Sequence, residues 1–417
     1  MARHTTDFPE DIIYLILDLL NFDKQTLSAC SLVSKQWTIP CQQYLFKSLC
    51  ITNIEKFGDD RDHDIKRFSN FVTNNHKICP YIRHLMLQAK PQLSISALSI
   101  KTSTLLLVLN QLPGLSSFVL SQLHVNFNTE QVLQVKYEID AVHLDRIKPM
   151  NKIFFLLSLF PAINNLTIIS SDFYNCCRDL SFPHLRIKHL DIKDATRSDL
   201  LISGLLQIPE TVESLEVIHA RITHLNVLNL LGQLLDKTAT HIIDLQLLFS
   251  PENMNPSNKY NDLNFANQLK KCSSLRIAQF DIGIMDFKSR SGTDLHHGLF
   301  DYIIELVSHI PITVNELKIG VIYRGRHPLN QVLERLDWQK LSNIISKRKL
   351  PLLVISISST VSLDTSRKEK TGIIHAVKVP REGLDNLLDW LIENIPPTVD
   401  GMSRMVQRRA SYGPGVW

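Results

Sequence analysis

The 417-residue sequence is short of the devices that catalysis usually needs. It contains no P-loop, G-x-G-x-x-G, G-x-S-x-G or H-E-x-x-H run, the common means of cradling a phosphate, activating a serine or pairing histidines around zinc. His296 and His297 are adjacent, which points their rings apart, and only Asp294 lies nearby, so no metal site is expected. The chain therefore reads as non-enzymatic, with no catalytic residue and no cofactor.

Charge of one sign is scarce as well. There are 45 basic and 41 acidic residues, and a net charge of +4 with a pI near 8.6 is too small a surplus to draw nucleic acid. Paired cysteine motifs are missing: Cys30, Cys41, Cys50, Cys79, Cys176, Cys177 and Cys272 show no C-x-x-C spacing and are odd in number. That usage fits reduced thiols acting as small apolar fillers in the cytoplasm or nucleus. Long apolar runs are missing too. Glu10, Asp11 and Asp18 interrupt the opening segment, and the stretch from Ile153 to Ile163 is about half a bilayer span and broken by Ser158 and Pro161. Neither a signal peptide nor a membrane segment is expected. Asn165-Leu166-Thr167 matches a glycosylation sequon but lies inside an apolar strand pattern, and Arg408-Arg409-Ala410-Ser411 is a short basic match to a phosphorylation site.

What is present is apolar residue in regular spacing, 44% of the chain against 21% charged, enough for a large core or an extended stack. From Phe8 to Ile51 three amphipathic helices are expected. The first carries Ile12, Ile13, Ile16, Leu19 and Leu20, with Asp7 as N-cap and Pro9, Glu10 and Asp11 in its first turn; Asn21 and Asp23 break it. Leu27, Cys30, Val33 and Trp37 give a second, and after an interruption at Thr38-Ile39-Pro40, Tyr44, Leu45 and Leu49 give a third. Three helices in roughly forty residues bury too little surface to stand alone, so this module is expected to lean on a neighbour or a partner.

Those residues resemble an F-box. Phe8-Pro9 stands where such modules open with Leu-Pro, Ile12, Ile16 and Leu19 form the apolar helix, and Val33-Ser34-Lys35-Gln36-Trp37 stands for Val-Cys-Lys-x-Trp, followed by Tyr44 and Phe46. Ser34 for Cys and Phe8 for Leu are the departures. The resemblance implies an α/β protein with an F-box over 1–50, acting as the substrate-recognition subunit of a Skp–cullin–F-box ubiquitin ligase. Phe8, Pro9, Ile12, Ile16, Leu19, Leu27, Val33 and Trp37 would dock on the Skp-type adaptor of the cullin core. The alternative is a stand-alone interaction scaffold outside any ligase.

From Phe46 onward one pattern returns: apolar, two residues, apolar, one residue, apolar. It starts at Phe46, Ile82, Leu115, Ile163, Ile187, Val212, Ile242, Ile277, Val314 and Leu352, and seven of these ten starts have a proline within the four residues before them, more than chance spacing supplies. Helical runs precede several of the prolines, such as Leu105, Leu106, Leu109 and Leu112 before Pro113, or Leu299, Ile303, Leu306 and Ile310 before Pro311. Each unit of about 24 to 48 residues is thus a helix, a proline break and a strand, too small to bury its apolar face without the next unit. The strand cores resemble a degenerate leucine-rich repeat, without its Asn or Cys ladder. A solenoid with a parallel sheet is expected over 51–395, with an extra strand or hairpin in Gln131–Leu144, a polar loop at Phe287–His297, a last helix at Glu382–Ile395 and a disordered tail over 396–417. A doubly wound sheet is the competing architecture.

Such a stack lines up one residue per strand between its last two apolar positions: Met86, Val119, Thr167, Asp191, Glu216, Gln246, Asp281, Lys318 and Ser356. With Lys193, Ile218 and Leu248 two places further along, Asp191, Glu216, Gln246, Asp281 and Lys318 of this row, acidic in its middle, are the candidate surface for a protein target carrying basic and apolar residues.

Overall fold

The computed structural model describes residues 9–21, 23–52, 63–89, 99–126, 138–147, 153–171, 184–194, 197–250, 263–285, 292–324, 333–348, 350, 352–360, 374–379 and 387. They fall into two compact units, one within 1–215 and the other within 216–417.

The first unit begins with α1 (Glu10–Leu19), α2 (Lys24–Cys30) and α3 (Lys35–Lys47). Pro9 occupies the N-cap of α1, and its carbonyl accepts from the Ile12 and Ile13 N–H groups. Asp23 caps α2, accepting from the Gln25 and Thr26 N–H groups at 3.1 and 3.0 Å and from Thr26 Oγ1 at 2.6 Å. The break expected at Thr38-Ile39-Pro40 does not occur. α3 runs through Pro40, which is buried beside Cys41, and Thr38 Oγ1 donates to the Ser31 and Ser34 carbonyls; burial and these bonds outweigh the backbone donor that proline removes.

From Lys47 the chain passes directly into β1 (Ser48–Thr52). There follow α4 (His63–Asn74), β2 (His84–Gln88), β3 (Ser99–Lys101), α5 (Thr102–Asn110), β4 (Ser117–Ser121), β5 (His124–Asn126), β6 (Ile139–Asp145), α6 (Ile153–Leu157), β7 (Ala162–Ile169), β8 (Arg186–Lys193), α7 (Ser198–Leu205) and α8 (Pro209–Ser214). Strands β1, β2, β4, β6, β7 and β8 pair in parallel in that order, and β3 pairs in parallel with β5. The order never reverses, whereas a doubly wound sheet reverses at its switch point. Leu85, Leu87, Phe118, Leu120, Val142, Leu144, Leu166, Ile168, Leu190 and Ile192 alternate along the strands and form the buried side.

Four strands of this unit close in the same way. Gln122, Arg146, Ser170 and Asp194 directly follow β4, β6, β7 and β8, stand 24 residues apart each time (122, 146, 170, 194), and have φ of 58°, 51°, 47° and 50°. The backbone N–H of Gln122 donates to the Asp145 carbonyl, that of Arg146 to Ile169 and that of Ser170 to Lys193, adding one rung to the ladder at each turn. None of the four is glycine, so each holds a left-handed backbone that L-residues adopt at a cost.

The second unit contains β9 (Val217–Ile222), α9 (Leu225–Thr238), β10 (Asp244–Phe249), α10 (Leu263–Lys270), β11 (Ile277–Met285), α11 (Gly292–His309), β12 (Glu316–Arg324), α12 (Trp338–Arg348), β13 (Leu352–Thr360) and β14 (Ile374–Lys378). β9 to β13 pair in parallel in sequence order, and β14 joins β13 antiparallel. The strands bury Ile218, Ala220, Leu245, Leu247, Phe280, Ile282, Leu317 and Ile319 among others, while α9 buries Val227, Leu228, Leu231, Leu234 and Leu235. Phe300 meets Trp338 edge-on at 5.0 Å between centroids, and Trp338 Nε1 donates to the Leu333 carbonyl at 2.9 Å, satisfying the buried indole.

The expected α/β class with a parallel sheet is present, with several shifts. The pattern placed at Val212 belongs to α8, because Pro209 takes the first helical position, where its missing N–H costs nothing; the strand pattern begins at Leu215. Register places the starts given as Ile277 and Leu352 two residues earlier, at Leu275 and Leu350, in line with Val314. β6, a full repeat starting at Ile139, lies in the stretch Gln131–Leu144 where an extra strand or hairpin is expected. α11 occupies 292–297 of the expected loop at Phe287–His297, and β14 was not anticipated. Of the expected last helix only Leu387 is described, and the tail at 396–417 lies outside the described residues. No helix among the described residues is long and apolar enough to cross a membrane.

Candidate functional surfaces

The three N-terminal helices share a small core. Ile13, Leu17, Leu27 and Cys41 are fully buried, with Leu20, Cys30, Trp37, Tyr44 and Leu45 packed around them. The Tyr44 hydroxyl latches α3 to α1 by donating to Asp18 Oδ1 at 2.5 Å, and burial, with Asp18 adding to it, pushes the phenol up to about 12. Tyr14 donates to Gln43 Oε1 at 3.2 Å, a second tie between the same helices.

The core uses only one side of α1. Ile12, Leu15 and Leu19 are 42%, 65% and 87% exposed, and Leu32, Val33 and Ile39 are 84%, 71% and 56% exposed. These six are two-thirds of the nine large hydrophobic residues that stand exposed among the described residues, so the apolar surface is concentrated on the smallest part of the chain. Of the expected adaptor contacts, Phe8 lies outside the described residues, Pro9, Ile12, Leu19 and Val33 are exposed, and Ile16 and Trp37 are half-buried. Leu27 is fully buried, so it holds the helices together and presents nothing outward. Leu15, Leu32 and Ile39 were missed. The helical spacing of Leu15 with Ile12 and Leu19 could have disclosed the first of them.

On the first unit's sheet, the row Met86, Val119, His143, Thr167 and Asp191 is in register, and His143 is its one member outside the expected row. Asp191 pairs with Lys193 at 2.7 Å, and Ser121 Oγ donates to Asp145 Oδ2 at 2.9 Å. Burial, more than any neighbouring charge, holds His143 below its ordinary value.

In the second unit the row between the last two apolar positions is His219, Gln246, Gln279, Lys318 and Val354. Gln246 and Lys318 therefore lie in this row. Asp281 belongs to the next row with Arg221, Leu248, Gly320 and Ser356. Glu216 precedes β9, where its carbonyl accepts from the Ile243 and Asp244 N–H groups. Ile218 is fully buried on the other side of the strand. Both misplacements follow from the three-residue shift at Val212, since an odd shift exchanges the two faces of a strand.

This face is polar and largely self-paired. Gln246 Nε2 donates to Asp244 Oδ2 at 3.3 Å, His219 Nε2 lies 3.7 Å from the same carboxylate, and Lys318 Nζ pairs with Glu316 at 3.3 Å. Buried atoms without a hydrogen-bond partner remain at His219 Nε2, Asp244 Oδ1 and Asp281 Oδ1. Gln279 Nε2 donates to Asp281 Oδ2 at 2.7 Å, and burial raises the Asp281 carboxyl above its usual range against the pull of Gln279 and Lys318.

Compared against protein-family models and against curated proteins, the chain matches none.

Proposed function

We propose that the chain is a substrate-recognition subunit of a Skp–cullin–F-box ubiquitin ligase, with the α1–α3 module as an F-box and the helix–strand units as a leucine-rich-repeat-like solenoid. The observation that carries this reading is the exposed apolar stripe of Ile12, Leu15 and Leu19 on a module whose core needs only Ile13, Leu17, Leu27 and Cys41. Fully burying a Leu or Ile side chain contributes about 1.5–3 kcal/mol, so covering that stripe favours a partner strongly. A Skp-type adaptor is the occupant that the F-box spacing of Pro9, Ile12, Ile16, Val33 and Trp37 suggests.

The 24-residue spacing of the left-handed turns supports the repeat reading, since it lies within the roughly 20–29 residues of leucine-rich repeats. The strand face bearing Gln246, Leu248, Asp281 and Lys318 then holds a protein target for ubiquitin transfer by other subunits, in cytoplasm or nucleus and without a cofactor. Asp191 and Lys193 belong to the corresponding face of the first unit.

Co-purification tests this. Intact protein brings down a Skp-type adaptor with the cullin core, and Leu15→Asp with Leu19→Asp abolishes that while leaving the fold intact. Absence of adaptor from the intact protein refutes the ligase role and favours the stand-alone scaffold.

A further inference from the structure

A cleft of about 410 Å3 opens in the first unit where α1 and α3 meet the turn leading into β2. Small-molecule sites run to about 300–1,000 Å3, so the space suits a ligand of modest size. Tyr14, Tyr44, Tyr81 and Pro80 give it flat apolar walls, and Lys47 and Arg83 line it as cations. The tyrosine rings on α1 and α3 are held in place by the bonds of Tyr14 to Gln43 and Tyr44 to Asp18.

The two cations start from adjoining backbone, since the Arg83 N–H donates to the Lys47 carbonyl at 2.9 Å. Lys47 Nζ stands 5.9 Å from the Tyr44 ring centroid, and Arg83 Nη1 donates to the Gly114 carbonyl at 3.0 Å. Among the described residues neither has a carboxylate within ion-pair distance. Their field is felt next door, where His84 is held below its ordinary value by burial first and then by Lys47 and Arg83.

A phosphate monoester carries nearly two negative charges at neutral pH and three strong acceptor oxygens, which match two neighbouring cations, one of them a guanidinium with further N–H groups. A flat ring matches tyrosine and proline walls. We propose that this cleft binds a phosphate monoester of a molecule that also carries an aromatic ring, with the phosphate between Lys47 and Arg83 and the ring against Tyr81 and Pro80. A nucleoside monophosphate and a phosphotyrosine side chain share this chemistry. The site stands whether or not the ligase reading does.

Isothermal titration of the full chain with phenyl phosphate, adenosine monophosphate, inorganic phosphate and phenol tests it, the first two distinguishing the source of the ring. At least one of them binds with Kd below about 1 mM, inorganic phosphate binds at least tenfold more weakly, and phenol does not bind. Lys47→Gln and Arg83→Gln each weaken binding at least tenfold. Lys47 is exposed, so its variant keeps the parent Tm and its result stands even where Arg83→Gln unfolds. No heat from either ring phosphate at about 10 mM, inorganic phosphate binding equally well, or unchanged affinity in Lys47→Gln overturns the proposal.

Discussion

Asp281 and Gly320 stand in register on neighbouring strands, and the carboxylate fills the space that a side chain on Gly320 would need: a Cβ there would lie 2.0 Å from Asp281 Oδ1. The missing side chain on β12 thus lets a partly desolvated acid lie flat on the exposed face of the sheet. Gly320→Ala is expected to fold, because the colliding atom is the end of a side chain that can rotate away. The carboxylate swings toward water, and its ordinary pKa returns, which a carboxyl-detected NMR titration of the variant against the parent measures.

Asp281→Asn carries a stability consequence with a definite sign. Burial raises the folded pKa of Asp281 above its unfolded value of 3.8, so its favourable contribution is complete below that value and is lost as pH rises through the folded pKa. The asparagine variant is therefore expected to gain stability relative to the parent at neutral pH, on the order of 1 kcal/mol, with the gain fading as pH falls toward 4. Urea midpoints across that range decide it; a gain that grows on acidification contradicts the account.

The Tyr44 latch predicts the opposite limb of the pH scale. With its folded pKa at about 12 against an unfolded value of 10.0, Tyr44 contributes stability that is intact below pH 10 and disappears as pH rises through 12. Tyr44→Phe should cost roughly 0.5–1.5 kcal/mol at neutral pH and then lose less than the parent between pH 10 and 12. Thermal melts of both proteins at those pH values check it.

The left-handed turns offer a gain. Ser170 is exposed at φ 47°, where glycine avoids the steric cost of a Cβ, so Ser170→Gly is expected to raise stability by about 0.5–1 kcal/mol in denaturant titration. Ser170→Val is expected to lower it, since a β-branched side chain fits that region worst.

Much of this was legible in the sequence because the apolar spacing dictates which strand face is buried, as at Leu166 and Ile168 or Leu317 and Ile319. What was not legible came from residues with two competing uses. Pro209 reads equally well as a helix stop and a helix start, and taking it as a stop shifted the strand by three and turned Ile218 outward. Pro40 reads as a breaker, yet burial holds it inside α3. The apolar pattern also marked the α1–α3 module without separating Leu27, which builds its core, from Leu15, which faces out; that distinction depends on how the helices cross. The partnership of Asp281 with Gly320 joins residues 39 positions apart (281 to 320) and exists only through strand register.

The division within the α1–α3 module gives the most direct test. Leu27→Ala removes a fully buried side chain and is expected to cost about 2–5 kcal/mol, whereas Leu15→Asp and Leu19→Asp change exposed positions and should stay within about 0.5 kcal/mol of the parent. The deciding measurement is the affinity of the intact protein for a purified Skp-type adaptor, with and without Leu15→Asp and Leu19→Asp. Tight binding by the parent, at least a hundredfold loss in the double variant and an unchanged Tm are expected. No binding by the parent, or equal binding by the variant, contradicts the proposed role.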